Sequence, residues 1–385
     1  LKVKVFLEKD IKKAKEIVSK TASEMNPDLF IFFAPYRFFE SGSLFNLSED
    51  TNCIGISTVA VVKDDQIEYN AFGGIFISFE KTGRCNLRQI DSISADLEGS
   101  INFLEKNLIP EERGTNLIFS TSSNLQVNKV LNRVFKNRNR DIRLYGGIAS
   151  SDAPDFRTYI SVNGQLLKDG FVILNLENVI SFNTISLGFI PVGTTYTVTK
   201  ARDNKIYSLD DMPVVYFLNN ILKNTGIKPQ DLDPVKTSEV LWEFPFLFIE
   251  DSGYISHLLV PMCFDNEDES FMFYGEVLEG SKIKLSTGDS EDILMDVKIR
   301  SEEFGNIINV RSLKPDFVLN ITCTARNYIL LGDNMESKEQ EIYYEKIKEI
   351  PFAGFLTFGE IGPDRMGKAG KFYNETSILV GFVER

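Results

Sequence analysis

Apolar residues in this chain fall mostly into short runs bounded by polar turns, with helical spacing in only a few windows. Lys2–Glu8 alternates and predicts a strand. Asp10 then caps a helix whose apolar stripe is Ile11, Ala14, Ile17, Val18 and Ala22, stopped at Asn26-Pro27. Leu29–Phe33 is apolar throughout and predicts a strand covered on both faces. Cys53–Val62 and Phe72–Phe79 read as strands joined across Lys63-Asp64-Asp65, followed by a helix over 97–107 and strand Asn116–Ser120. Val127, Val130, Leu131, Val134 and Phe135 make 123–136 an amphipathic helix. Strand Ile142–Tyr145 runs into Gly146-Gly147, and further strands are expected at Tyr159–Val162, Phe171–Asn175, Ile180–Ile185 and Thr194–Thr199.

The texture changes near 203–212. Asp210 or Asp211 before Pro213 starts a helix, Val214, Phe217, Leu218, Ile221 and Leu222 give its buried stripe, and Gly226 ends it. Beyond lie expected strands near 240–250, 254–262, 271–277 and 282–286, a short helix near 288–298 and strand 316–323. An acidic helix at 337–349 and strands at 352–359 and 373–383 complete the chain, the Glu/Lys alternation over 336–349 reading as a solvated helix face or a docking surface. The expected fold is α/β (mixed α+β) in two domains, 1–205 and 206–385, each a mixed, mainly antiparallel sheet with flanking helices.

Length and composition allow sizeable cores: 385 residues, 43% apolar and 25% charged, describe an ordinary globular protein. A net charge of −13 and a pI near 4.8 argue against nucleic acid or an anionic membrane as partner. The longest apolar stretch, Phe171 to Val192, is broken by Asn175, Glu177, Asn178 and Asn183, so no membrane helix is expected. Cys53, Cys85, Cys263 and Cys323 are scattered rather than paired, which favours a reducing, cytoplasmic setting. His257 is the only histidine, which excludes zinc sites needing two.

The most informative stretch is 351–363, where an apolar run ends at Glu360 between Gly359 and Gly362. A carboxylate at the lip of a buried strand must be solvated, paired or offered to a ligand. Arg326, at the end of the preceding strand, is its candidate partner, and the two either hold a zwitterion or close the sheet edge as an ion pair. Cys323, three residues before Arg326, is a redox reporter, a soft ligand or a packed core thiol. Asn374 and Thr376 orient a ligand or cap a turn. Gly146-Gly147 lacks the continuation of a phosphate cradle and reads as a tight turn with close backbone approach. His257 shares a strand face with Ile255 and Leu259, where it is a core residue or, facing a large apolar pocket, a ligand to haem iron.

These residues resemble a FIST-domain protein. Cys323-Thr-Ala-Arg326, then Gly354-Phe355 through Gly359-Glu360-Ile361 to Pro363, then Asn374-Glu375-Thr376 are similar to the family's C-x-x-R, G-F-x-x-x-G-E-I-x-P and N-x-T elements, in order. Tyr274–Gly280 resembles its earlier G-x-V-x-E-G turn, and Tyr145–Asp152 its Gly-Gly-containing turn in the N-terminal half. The chain departs from it at Ile56, where members often carry Cys, and at Ala60-Val61, where they often carry Gly-Glu. The resemblance spans roughly 28–385 and implies a sensor, not an enzyme, that binds a small molecule and reports to a separate signalling protein such as a histidine kinase or cyclase. It implies ligand-binding roles for Arg326, Glu360, Cys323, Gly354, Gly359, Asn374, Thr376, Gly146 and Gly147, with an amino acid as one candidate ligand. Two alternatives stand beside it: a haem-based nitric oxide sensor using His257, and a thiol enzyme using Cys323 as nucleophile with Glu360 as acid/base.

Overall fold

The computed structural model describes residues 1–45, 47–121, 123–136, 141–223, 226–233 and 238–385. Among them, mixed and mainly antiparallel sheets are flanked by helices, the expected fold class. Asp10 acts as anticipated, accepting hydrogen bonds from the Lys12 and Lys13 amides to start helix Ile11–Met25; Ser123, which the apolar pattern did not single out, caps helix Asn124–Phe135 through the Gln126 amide.

Three six-stranded sheets carry the architecture. In the first, strands Lys2–Glu8, Phe72–Ser78, Leu29–Ala34, Asn52–Ser57, Ile160–Val162 and Gln165–Leu167 lie in that order. The second runs Lys371–Tyr373, Gly359–Gly362, Leu144–Ile148, Gly114–Ser120, Phe171–Glu177, Arg84–Ile90. The third runs Val179–Ser186, Ser377–Glu384, Phe317–Cys323, Phe352–Thr357, Ala60–Lys63, Gln66–Tyr69. The second and third therefore each hold strands from both sides of residue 205. A fourth sheet, centred on Lys282–Thr287 and the long strand Ile190–Arg202, closes one side.

Three runs that read as single strands are each cut in two, and each cut is a crossing between sheets. Cys53–Val62 passes from the first sheet to the third at Thr58-Val59. The 352–359 run leaves the third sheet after Thr357 and enters the second at Gly359. The 373–383 run leaves the second at Tyr373 and rejoins the third at Ser377. Buried side chains replace the missing ladder bonds at the first crossing. Thr58 Oγ1 donates to the Leu356 carbonyl (2.9 Å) and accepts from the Leu356 amide (3.1 Å), while Ser150 Oγ donates to the same carbonyl at 2.6 Å. An apolar run fully buried on both faces has no alternation to mark such a break, so periodicity alone missed it.

Other differences have plain causes. Trp242 lies in the short helix Ser238–Trp242 rather than in a strand. The helix expected over 288–298 runs from Ser290 to Arg311, held at its start by a capping box between Asp289 and Asp292. The acidic helix, Lys338–Lys346, keeps the solvated Lys338–Glu341 pair outside but turns Glu339, Gln340 and Tyr343 fully inward. Most consequentially, the strand ending at Cys323 is followed at once by helix Thr324–Gly332, so Arg326 sits in a first helical turn and not at a strand edge.

Phe355 joins the layers: its ring stacks on Phe33 of the first sheet (4.6 Å) and meets Phe119 of the second edge-on (5.8 Å). Phe355→Ala is expected to lower unfolding free energy by about 3–5 kcal/mol in urea titrations. A loss under ~1 kcal/mol would contradict its central place.

Candidate functional site

The three crossings bring most of the sequence-predicted residues together. Cys323 pairs in register with Thr357, Glu360 lies between Gly147 and Tyr373, and Gly359 lies opposite Ile148. Gly146 and Gly147 permit this approach. Gly146 has φ +150° and a Cβ there would fall 1.7 Å from the Ile118 carbonyl, while one on Gly147 would meet Thr357 and the Gly359 carbonyl. Gly354 lies between Asn320 and Val62 in the third sheet, away from Glu360's oxygens but on the same strand as Thr357. Asn374 is a bridge, its side-chain oxygen accepting from the Val260 amide (3.2 Å) and its side-chain amide donating to the Phe358 carbonyl (3.4 Å).

Glu360 is fully buried. Thr357 donates to its Oε1 at 2.5 Å, and the Thr376 hydroxyl (2.8 Å) and amide (3.1 Å) donate to Oε2. Burial outweighs these bonds and pushes its carboxyl up to about 8. A protonated Glu360 is accommodated, because Thr357 also reaches the Thr322 carbonyl (3.3 Å) and so can accept from the acid while donating onward. Glu375, between Asn374 and Thr376, is a second fully buried carboxyl, and neither of its oxygens has a hydrogen-bond partner among the described residues. Its backbone holds φ +56°, unusual for a residue with a side chain. Burial and the nearby Glu360 raise its pKa well above the usual carboxylate range. Neighbouring Cys323 is raised for the same reasons, burial first and then Glu360 and Glu375. A thiol held protonated is the reverse of what a nucleophile needs.

Arg326 is also fully buried but is committed elsewhere. Its Nε donates to Glu339 (2.9 Å), Nη1 to the Leu187 (2.8 Å) and Glu375 (3.2 Å) carbonyls, and Nη2 to Ser186 Oγ (2.7 Å). Ser186 passes a hydrogen bond on to Asp296 (3.0 Å), which also takes the Leu187 amide (2.7 Å). The guanidinium thus fastens its own helix to helix Lys338–Lys346, the end of strand Val179–Ser186 and the Glu375 turn, with helix Ser290–Arg311 joined through Ser186. The sequence placed its partner at Glu360; the structure places it at Glu339, on a helix whose charge alternation masked the buried position. Glu375 was passed over too, although it stands inside the Asn374–Thr376 motif.

His257 Nδ1 lies 2.8 Å from Ser256 Oγ, and the ring stacks on Phe248 at 4.5 Å with Tyr373 edge-on at 6.5 Å. Burial lowers its pKa to about 3. Those contacts are the ones a packed core ring makes, and they lend the haem-ligand role no support. Among the described residues no group of three or more His, Cys, Asp or Glu is placed to hold a metal ion, and no helix is long and apolar enough to cross a membrane.

Residues 28–212 match the FIST N domain and residues 217–363 the FIST C domain, and the chain belongs to the FIST family. FIST domains are associated with sensor roles in signal transduction. The chain is similar to an uncharacterized protein of Aquifex aeolicus, 28% identical over 219 residues that cover 54% of this chain and 76% of that protein.

Two outcomes follow from the charges. Arg326→Met strands Glu339 in the interior and is expected to cost about 3–5 kcal/mol in denaturant unfolding, with most of it recovered in the Arg326→Met/Glu339→Leu double variant. No recovery in the double variant would show the pair to be doing something other than neutralising each other. Glu360 is protonated in the fold and ionised in the unfolded chain between its ordinary pKa of 4.5 and about 8. The native state binds the extra proton, so the contribution of this group to stability is fully present below 4.5 and is lost as pH rises through that window. Urea midpoints from pH 4.5 to 8 are expected to fall less steeply for Glu360→Gln than for the unaltered protein; parallel curves would refute the raised carboxyl.

Proposed function

We infer that the protein is a small-ligand sensor whose ligand carries a cationic group, an amino acid being the favoured candidate, and that the Glu360–Glu375 patch receives it. The observation that carries this reading is Glu375: a fully buried carboxyl with neither oxygen partnered among the described residues, next to a second buried carboxyl. An ammonium group there would supply the missing donors and convert an unfavourable carboxyl pair into a paired one. Arg326 acts in this reading as the anchor of the Glu375 turn, through its hydrogen bond to the Glu375 carbonyl. Thr376, which holds Glu360, and Cys323, whose thiol is raised by both carboxyls, belong to the same patch.

The hairpin from Gly359 to Tyr373 supports a route for the signal. It carries Glu360 on one strand, leads directly into Glu375 from the other, and pairs with Leu144–Ile148 of the first half. A ligand that favours one setting of this hairpin shifts the surface that the two halves, 1–205 and 206–385, offer together to a signalling protein such as a histidine kinase or cyclase. The setting is cytoplasmic in this reading, with all four cysteines free.

A thermal-shift screen of the common amino acids and simple amines tests it. At least one is expected to raise the melting temperature by a few degrees at a hundredfold excess over its Kd, since binding then adds about 2.7 kcal/mol. The shift should vanish in Glu375→Gln while that variant stays folded. A flat response across the panel, or a shift that survives the substitution, rejects the assignment.

A further inference from the structure

A second place in the molecule has the make-up of a ligand site, and it answers to the opposite charge. At the loop end of the same hairpin, a cleft of about 350 Å³ opens between helix Asn124–Phe135 of the first half and residues 276–278 and 368–371 of the second. That volume lies at the small end of ligand-site sizes, about 300–1,000 Å³. Its floor is fixed by close packing: Gly370, at φ +75°, lies so near Phe135 that a Cβ there would come within 2.0 Å of the ring.

Four cations line the cleft, Arg133, Lys136, Lys368 and Lys371, in a chain of net charge −13. Two are partly neutralised, Arg133 by Glu276 at 3.6 Å and Lys371 by Glu250 at 3.2 Å. Lys136 and Lys368 have no acidic partner among the described residues. Among the described lining residues the one carboxylate, Glu276, is nearly buried and held in place by the Asn132 side-chain amide (2.8 Å), so it is a fixed acceptor rather than a loose counter-charge. Unneutralised ammonium groups concentrated around one concavity attract a compact anion despite the acidic surroundings. A rigid acceptor beside them suits hydroxyl groups on the same molecule.

We propose that this cleft binds a small hydroxylated phosphate ester, its phosphate held by Lys136 and Lys368 and its hydroxyls by Glu276. The site is distinct from the Glu360–Glu375 patch and does not depend on it. Its place on the loop that joins Gly359–Gly362 to Lys371–Tyr373 makes it able to bias the same hairpin.

Calorimetric titration of the whole chain with ribose 5-phosphate at constant ionic strength tests the assignment, with inorganic phosphate and succinate as comparison probes. Ribose 5-phosphate is expected to bind more tightly than either, and its affinity to fall as sodium chloride is raised. The surface variant Lys136→Gln/Lys368→Gln should weaken it about tenfold or more, an energy the loss of two ammonium contacts readily accounts for. Glu276→Gln should bring ribose 5-phosphate down to the level of inorganic phosphate. Absence of binding at millimolar ligand, equal binding of succinate, or affinity unchanged in the lysine double variant would overturn the proposal. Loss of the amino-acid response in Glu375→Gln with ribose 5-phosphate binding intact would separate the two sites.

Discussion

The architecture depends on a few buried hydrogen bonds made where strands change sheets. A strand that leaves one sheet for another abandons its ladder partners, and the freed backbone groups cannot remain dry and unpaired. Thr58 and Ser150 meet this constraint at the Leu356 carbonyl, and Asn374 and Asn124 do so at the Phe358 carbonyl (3.4 and 2.9 Å). Because the crossings of 58–59, 358 and 374–376 lie together, Thr357 and Thr376, which stand at two of them, meet at the Glu360 carboxyl. Fold and site therefore share one cause.

The treatment of charge in the interior is uneven. Around Arg326, each side-chain nitrogen has an acceptor, Glu339 also accepts from the Thr322 hydroxyl and Asp296 from the Leu187 amide, which is the condition under which buried ions are tolerated. Around Glu375 the same rule is broken. A left-handed backbone, two unpartnered oxygens and a second carboxyl nearby each disfavour the resting arrangement. Departures of this kind gather at functional sites, since a fold under no other demand would lose little by placing a smaller residue there.

Much of this was legible in the residues. The apolar runs gave nearly all the central strands, Asp10 marked a helix start correctly, and Gly146-Gly147 marked a close backbone approach, though inside strand Leu144–Ile148 and not at a turn. The convergence of Cys323, Glu360, Asn374 and Thr376 was legible because motif residues stood at strand ends. What failed was partnership. Arg326 looked like the neighbour of Glu360 when Cys323-Thr-Ala-Arg326 was read as extended, but a helix begins at Thr324 and swings its side chain to Glu339. Nothing in a Glu/Lys-rich helix distinguishes Glu339 from its solvated neighbours until Tyr343 and Ile347 are seen to continue its buried stripe. The three strand breaks were equally silent, since runs buried on both faces carry no phase.

The interleaving also constrains when the protein can fold. Lys63 pairs with Ala353, so the third sheet needs segments about 290 residues apart. At about 5–20 residues per second, the ribosome takes roughly 15 to 60 s to deliver the second after the first. Throughout that interval one edge of Ala60–Lys63 has no neighbour, and an open apolar edge invites pairing with other nascent chains. The nascent chain thus spends most of its synthesis as an incomplete sheet, and protection of that edge has to come from something other than its own later strands.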